Sequence, residues 1–267
     1  MKLASCIRVG LVLLLGTGMV GFMPACSDSG SSTGSTTVSS PQPEEKRDVS
    51  PEAQWIDLKP IEIKIPEGIE GEASLTRNIY FIMDGSGSMN EPTSRDCGGD
   101  QRFPSKMAGA RWAIKKFLEN VPEDVNIGLY VFDLNGKRQV ISLGSSNREA
   151  FLAAVDAIEA GGQTPLAQAL RFGTDRLVEQ YRQQLGYGEF RLVAVTDGIA
   201  DEIPSAAIYA AQYGIPIYAI GLCIQADHPL RHFSVSYRAA DNFEDLQKGL
   251  EDTLAELPNF DVTEFQQ

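Results

Sequence analysis

Apolar positions along the chain change rhythm several times, and the changes mark out its elements. Seven short runs read as strands, at 61–65, 79–83, 126–132, 139–143, 191–195, 215–220 and 235–238. Among them, apolar residues recur at helical spacing over 105–120, 148–160, 165–184, 203–213 and 243–257. The runs at 79–83, 191–195 and 215–220 are almost wholly apolar, as central parallel strands covered on both faces must be. Asn135-Gly136, between the second and third core runs, is a hairpin turn signal that makes that pair antiparallel. The rest reads as βα units. The expected fold is therefore α/β, an open, doubly wound, mostly parallel sheet with helices on both faces. No internal repeat is visible. The last helix carries Phe243, Leu246, Leu250, Leu254 and Leu257 at helical spacing, a stripe that faces the core, and Trp112 takes a core position on its own helix.

The pattern begins only near residue 61. Ahead of it, Lys2 and Arg8 precede an apolar run from Val9 to about Met23, then Pro24-Ala25-Cys26. A basic start, a short apolar stretch and a small residue at its end read as a secretory signal over 1–25, with a single N-terminal membrane anchor as the alternative. Ala25-Cys26 resembles the cleavage box of bacterial lipoproteins, in which the cysteine bears the lipid; by the enterobacterial sorting rule Ser27 favours the outer membrane. Residues 26–60 are expected to form a flexible tether: a Ser/Gly/Thr tract to Ser40, then Pro41-Gln42-Pro43 and a charged stretch through Asp48, with Trp55 farther along the spacer. The globular head is expected over 61–267.

Charge narrows the partners. Lys and Arg number 23 against 36 Asp and Glu, a formal net charge of −13 over 267 residues. Such a surface repels phosphate backbones and anionic lipid, so nucleic acid is not expected as a partner and contact with a membrane is expected only through the lipid anchor. The share of hydrophobic residues, 43%, is that of an ordinary globular chain and excludes collagen-like and polytopic membrane classes.

Ligands of such sheets bind at the carboxyl ends of the strands, near the point where strand order reverses. Three strand ends or following loops carry oxygen-bearing residues there: Asp84-Gly85-Ser86-Gly87-Ser88, Gly161-Gly162-Gln163-Thr164-Pro165 and Thr196-Asp197-Gly198. Each has an ordinary explanation of its own. Asp-Gly is common turn chemistry, and Thr164 before Pro165 makes a good helix N-cap. Together they bring two aspartates and three hydroxyls to one patch, a hard, weakly charged oxygen set suited to a small divalent cation that keeps some waters.

Asp84-x-Ser86-x-Ser88, Thr164 after a Gly-Gly pair, and Asp197 in Thr-Asp-Gly resemble the metal-ion-dependent adhesion site of von Willebrand factor type A domains. The resemblance spans roughly residues 75–256 and implies the same doubly wound sheet, with one antiparallel edge strand. It also implies that Ser86, Ser88 and Thr164 supply hydroxyl oxygens, and that Asp84 and Asp197 act directly or through water. The implied ion is Mg²⁺ or Mn²⁺, ahead of Ca²⁺, and the implied partner is a protein that offers an acidic side chain to it. Neutral hydroxyl ligands leave the ion's charge incompletely neutralised, which is what makes an open position attractive to such a side chain. That reading is of a binding module, displayed on a bacterial envelope membrane, in the periplasm or at the cell surface, and not of an enzyme. Rival readings are a metal-assisted hydrolase working through Asp84 and a structural envelope protein. The Gly85–Asn90 stretch lacks the third glycine of a dinucleotide loop, and no P-loop occurs. His228 and His232, the only histidines, are expected at the surface, and Glu91, Asp96 and Asp100 as a solvated face.

Four cysteines remain to be placed. Cys6 leaves with the signal and Cys26 is expected to carry lipid, so Cys97 and Cys223 are left to meet an oxidising compartment. In the strand order that the resemblance implies, one strand separates theirs, and a Cys97–Cys223 disulfide is expected beside the metal patch; a buried free thiol at Cys223 is the alternative.

Overall fold

The computed structural model describes residues 59–69, 71–93, 103–198, 200–223, 228–240 and 242–254. The expected signal peptide, Cys26 and all but the end of the tether fall outside these residues, as do Asp96, Cys97, Asp100 and Leu257. Among the described residues, no helix is long and apolar enough to cross a membrane.

In strand β1 (Arg77–Asp84) every residue after Arg77 is buried. Successive side chains serve opposite layers. Ile79, Phe81 and Met83 join one core cluster, while Tyr80 and Ile82 join the other. The first layer is closed by α1 (Lys106–Asn120), α2 (Arg148–Asp156) and α5 (Phe243–Asp252); the second by α3 (Leu166–Gln183) and α4 (Ile203–Gln212). Phe81 shows how tightly the first layer locks, meeting Phe117 of α1 and Phe151 of α2 edge-on at 5.7 and 5.3 Å.

The other strands are β2 (Asn126–Asp133), β3 (Gly136–Gly144), β4 (Glu189–Thr196), β5 (Ile217–Leu222) and β6 (Ser236–Ala240). Their order in the sheet is β3-β2-β1-β4-β5-β6, with β3 alone antiparallel. The antiparallel pair forms as the hairpin signal implied, but it turns at Leu134-Asn135, one position earlier than expected, with Asp133 opposite Gly136, the first residue of β3. β1 pairs in parallel with both β2 and β4, so strand order reverses there. Register aligns Met83 with Val195, which places Asp84 and Thr196 next in line at the carboxyl end.

Some expected elements differ. Residues 61–65 form no strand. Their Ile-Glu-Ile-Lys-Ile alternation buries only one face, through Ile63 against the second cluster, while Ile61 and Ile65 stay exposed. The segment runs over the helices instead of joining a sheet edge: Ile61 N–H donates to Gln212 O at the end of α4, and Arg182 of α3 donates to Lys64 O. β5 starts two positions late because Ile215 N–H closes the end of α4 on Ala210 O (3.0 Å) and Pro216 has no N–H to give. α2 stops at Asp156, and the chain beyond it is tied to the β2–β3 turn by Leu134 N–H on Glu159 O (2.9 Å). Trp112 and Leu254 are partly buried against the first cluster, and Leu246 and Leu250 of the expected stripe are fully buried within it.

Candidate metal centre

Two loops at the reversal point are stitched together by backbone hydrogen bonds. Gly161 N–H donates to Gly85 O (2.8 Å) and Gly87 N–H to Gly162 O (3.3 Å). Both contacts need glycine. A Cβ on Gly85 would lie within 3.0 Å of Ile158, Asp133 and Phe132 O, and Gly162 sits at φ +81°, where other side chains are strained. Asp133, at the end of β2, braces this junction from below. Its buried carboxylate is held by Arg138 (2.6 Å) and by Asn135 N–H (2.8 Å). Burial pushes that carboxyl up, but the bonds from Arg138 and Asn135 outweigh it and hold the group below the usual carboxylate range.

The ligand candidates then converge. Asp84 is wholly buried; Ser86 N–H donates to its Oδ1 at 2.8 Å and the Thr196 hydroxyl to its Oδ2 at 2.6 Å. The Ser86 and Ser88 hydroxyl oxygens are 3.1 Å apart, and Ser88 donates to Asp197 Oδ1 at 2.7 Å. That leaves Ser86 as the donor of the pair. Burial drives the Asp84 carboxyl upward from its ordinary value; the hydrogen bonds from Thr196 and Ser86 offset this only in part, and the charge of Asp197 adds to it. Two neighbouring carboxylates in a poorly hydrated place call for a cation.

Thr164 reaches the same patch by a route the sequence did not indicate. It does not cap α3: the N-cap position falls on Pro165, without a side-chain bond, and Thr164 contributes its carbonyl to Leu166 N–H. Its hydroxyl is thereby left uncommitted among the described residues. It packs on Gly198, where a Cβ would stand 3.4 Å from Thr164 Oγ1 and 3.8 Å from Asp84 Oδ2.

Two further residues complete the surroundings. His228 is fully buried, not at the surface, while His232 is exposed as expected. Its Nδ1 accepts from Leu230 N–H (3.1 Å), so the neutral ring carries its proton on Nε2 and donates to Gly198 O (3.0 Å). Tyr237 stacks on the ring. The imidazole thus fixes the loop that carries Asp197. Lys106, at the start of α1, places its Nζ 2.9 Å from Asp197 Oδ2 and 2.7 Å from Glu91 Oε2. Glu91 is exposed as expected, but it is paired. Cys223, at φ +57° just past β5, is disulfide-bonded; its expected partner Cys97 lies outside the described residues.

The donor set fits a small hard cation. An octahedral ion with Mg–O bonds of about 2.0–2.1 Å has neighbouring oxygens roughly 2.9–3.0 Å apart. The Ser86–Ser88 and Ser88–Asp197 separations of 3.1 and 2.7 Å bracket that edge. Among the described residues no three His, Cys, Asp or Glu side chains gather, so the set is two carboxylates with hydroxyls and not a thiolate or imidazole site.

The family model for the von Willebrand factor type A domain matches residues 78–266. A curated relative, the uncharacterized protein YwmC of Bacillus subtilis (strain 168), is 28% identical over 145 residues, which cover 49% of this chain and 59% of YwmC. Among solved structures, the pilus adhesin SpaC of Lactobacillus rhamnosus GG superposes with a TM-score of 0.53 at 16% identity, over 69% of this chain and 31% of SpaC. An aerotolerance-related membrane protein from Bacteroides fragilis gives 0.47 at 18% identity, over 65% of this chain and 96% of that one. At the identity of SpaC the likeness is one of fold.

Proposed function

The chain belongs to the von Willebrand factor type A domain family, and from that premise we propose that its head is a divalent-metal-dependent protein-binding module. The convergence of Asp84, Ser86, Ser88 and Asp197, linked by contacts of 2.7–3.1 Å, carries the reading. Ser86, Ser88 and Thr164 are the neutral oxygens of the site, and Asp84 and Asp197 its charges. When bound, Mg²⁺ or Mn²⁺ supplies an incompletely neutralised positive charge for an acidic side chain of a partner. The chain's own part is to hold its oxygens in place: Thr196 and Ser86 N–H fix both oxygens of Asp84, and His228 fixes the Gly198 carbonyl.

Several observations favour binding over hydrolysis at this patch. A Ser86 nucleophile would need a base, and both nitrogens of buried His228 are already engaged, with Leu230 N–H and Gly198 O. Asp84 is wholly buried with both oxygens taken, a poor position for attack on a phosphoryl group. We place the head on a bacterial envelope membrane through a lipid on Cys26. The experiment is capture of an envelope partner on the immobilised mature chain in Mg²⁺ and again in excess EDTA. Capture in Mg²⁺ that is released by EDTA is expected; capture indifferent to chelation contradicts metal-mediated binding. Cys26→Ser is expected to leave the membrane fraction.

A further inference from the structure

We propose that Lys106 is a built-in competitor of the metal, an internal cation that neutralises Asp197 when no ion is bound and sets the ion's affinity. The inference rests on the metal-site reading above. The Asp197 side chain is shielded from solvent entirely, so its charge must be met from within. Ser88 meets Oδ1 with a neutral hydroxyl; Lys106 meets Oδ2 with a full charge at 2.9 Å.

Helix stability does not explain the lysine's place. Lys106 is the first residue of α1, where the N–H ends of the helix already present positive charge, and a cation there is unfavourable. The end is capped without it, by the Ser105 hydroxyl accepting from Ala108 N–H at 3.2 Å. Nor is this an ordinary surface pair, because the Lys106 side chain is only 13% exposed. It is held at its base as well: Lys106 N–H donates to Glu91 O (3.0 Å), while its ammonium bonds the Glu91 carboxylate. Glu91 in turn directly follows the short 3₁₀ turn Gly87–Asn90 that carries Ser88. The ammonium therefore has two anions to choose between, one buried at the metal patch and one in solvent.

That choice gives the lysine two states. Without a divalent ion it bridges both carboxylates and keeps the patch assembled. With the ion at Asp197, Lys106 gives up Oδ2 and keeps Glu91, which is 63% exposed and holds it off at the rim. The repulsion between ammonium and ion is a standing reduction of metal affinity, and Glu91 lessens it.

Titration of MgCl₂ into the mature chain by calorimetry, paired with melting in EDTA, tests this. Lys106→Met keeps the stem and removes the charge. It is expected to bind Mg²⁺ about tenfold tighter yet melt at a lower temperature in EDTA. Glu91→Gln alters an exposed side chain and is expected to bind more weakly than wild type, since Lys106 is then left to Asp197 alone. Were the lysine's role merely structural, Lys106→Met would lower both the melting temperature and the affinity. Saturable binding by wild type with equal or weaker binding by Lys106→Met overturns the inference. So does unchanged affinity in Glu91→Gln, should the lysine variant not fold. Absence of binding by wild type overturns the metal-site reading itself, a distinct result.

Discussion

The two ends of β1 are equally buried and chemically opposite. At the amino end stands Asn78, fully buried, its amide donating to Thr76 O (2.9 Å) and Glu189 O (3.0 Å) and accepting from Asn126 (2.8 Å). At the carboxyl end stands Asp84, equally buried, beside Asp197. The amino end is neutral and closes its hydrogen bonds on itself, across three neighbouring strand ends. The carboxyl end concentrates negative charge and meets it with hydroxyls and one lysine. A buried neutral network of that kind contributes to stability, whereas a buried charge costs stability unless something positive arrives. On the proposed reading, the fold places its structural polar groups at one end of the sheet and its ligand-seeking ones at the other.

Substitutions at the two ends should therefore separate stability from metal binding. The largest expected effect is on Asp197→Ala, which should lose at least the ~10–100-fold in Mg²⁺ affinity that even outer-shell changes cost, with native far-UV circular dichroism. Metal affinity unaffected by that change would dissolve the contrast. Next is Asn78→Ala, which strands the Asn126 amide and takes one donor from each of the Thr76 and Glu189 carbonyls. It should cost about 1–3 kcal/mol, roughly 3–9 °C in melting temperature, and leave Mg²⁺ affinity as it was. A smaller effect of opposite sign is expected from Asp84→Asn in EDTA. Removing a buried carboxylate whose pKa is pushed up by burial should raise the melting temperature by about 2–4 °C, while abolishing Mg²⁺ binding. A lower melting temperature there would show that the carboxyl end is structural after all.

The smallest effect concerns His228. Burial holds its pKa below the ordinary histidine value, against the pull of its bond to Gly198 O. As pH falls through about 6.5 the unfolded chain takes up a proton first, so the histidine's contribution is intact above that pH and is lost as pH falls toward the lower folded value. Wild type should lose about 1–2 °C more than His228→Asn between pH 7.5 and 5.5, measured in EDTA. Equal losses would remove His228 from the account.

Much of this was open to inspection in the residues. The apolar runs of β1, β4 and β5 announced a sheet covered on both faces, and Asn135-Gly136 announced the antiparallel edge. Asp84, Ser86, Ser88, Thr164 and Asp197 could be singled out as candidates because glycine turns at strand ends are a local signal, read without knowing what lies opposite. Lys106 could not be, since its meaning depends on α1 beginning beside Glu91, a residue distant from it in sequence. His228 was read as a surface residue because Pro229 follows it and nothing in its neighbours reveals that Gly198 O and Tyr237 will enclose it. Residues 61–65 alternate like a strand, yet alternation reports only that one face is covered; here the cover is a pair of helices and not a sheet.

The central claim is that the carboxyl end of the sheet is a cation site, and anomalous scattering from crystals of the mature chain grown with Mn²⁺ tests it most directly. The account predicts one strong peak among Asp84, Ser86, Ser88, Thr164 and Asp197, about 2.1–2.2 Å from the nearest hydroxyl oxygens. A map with no peak there, or with its strongest peak among other residues, would contradict it.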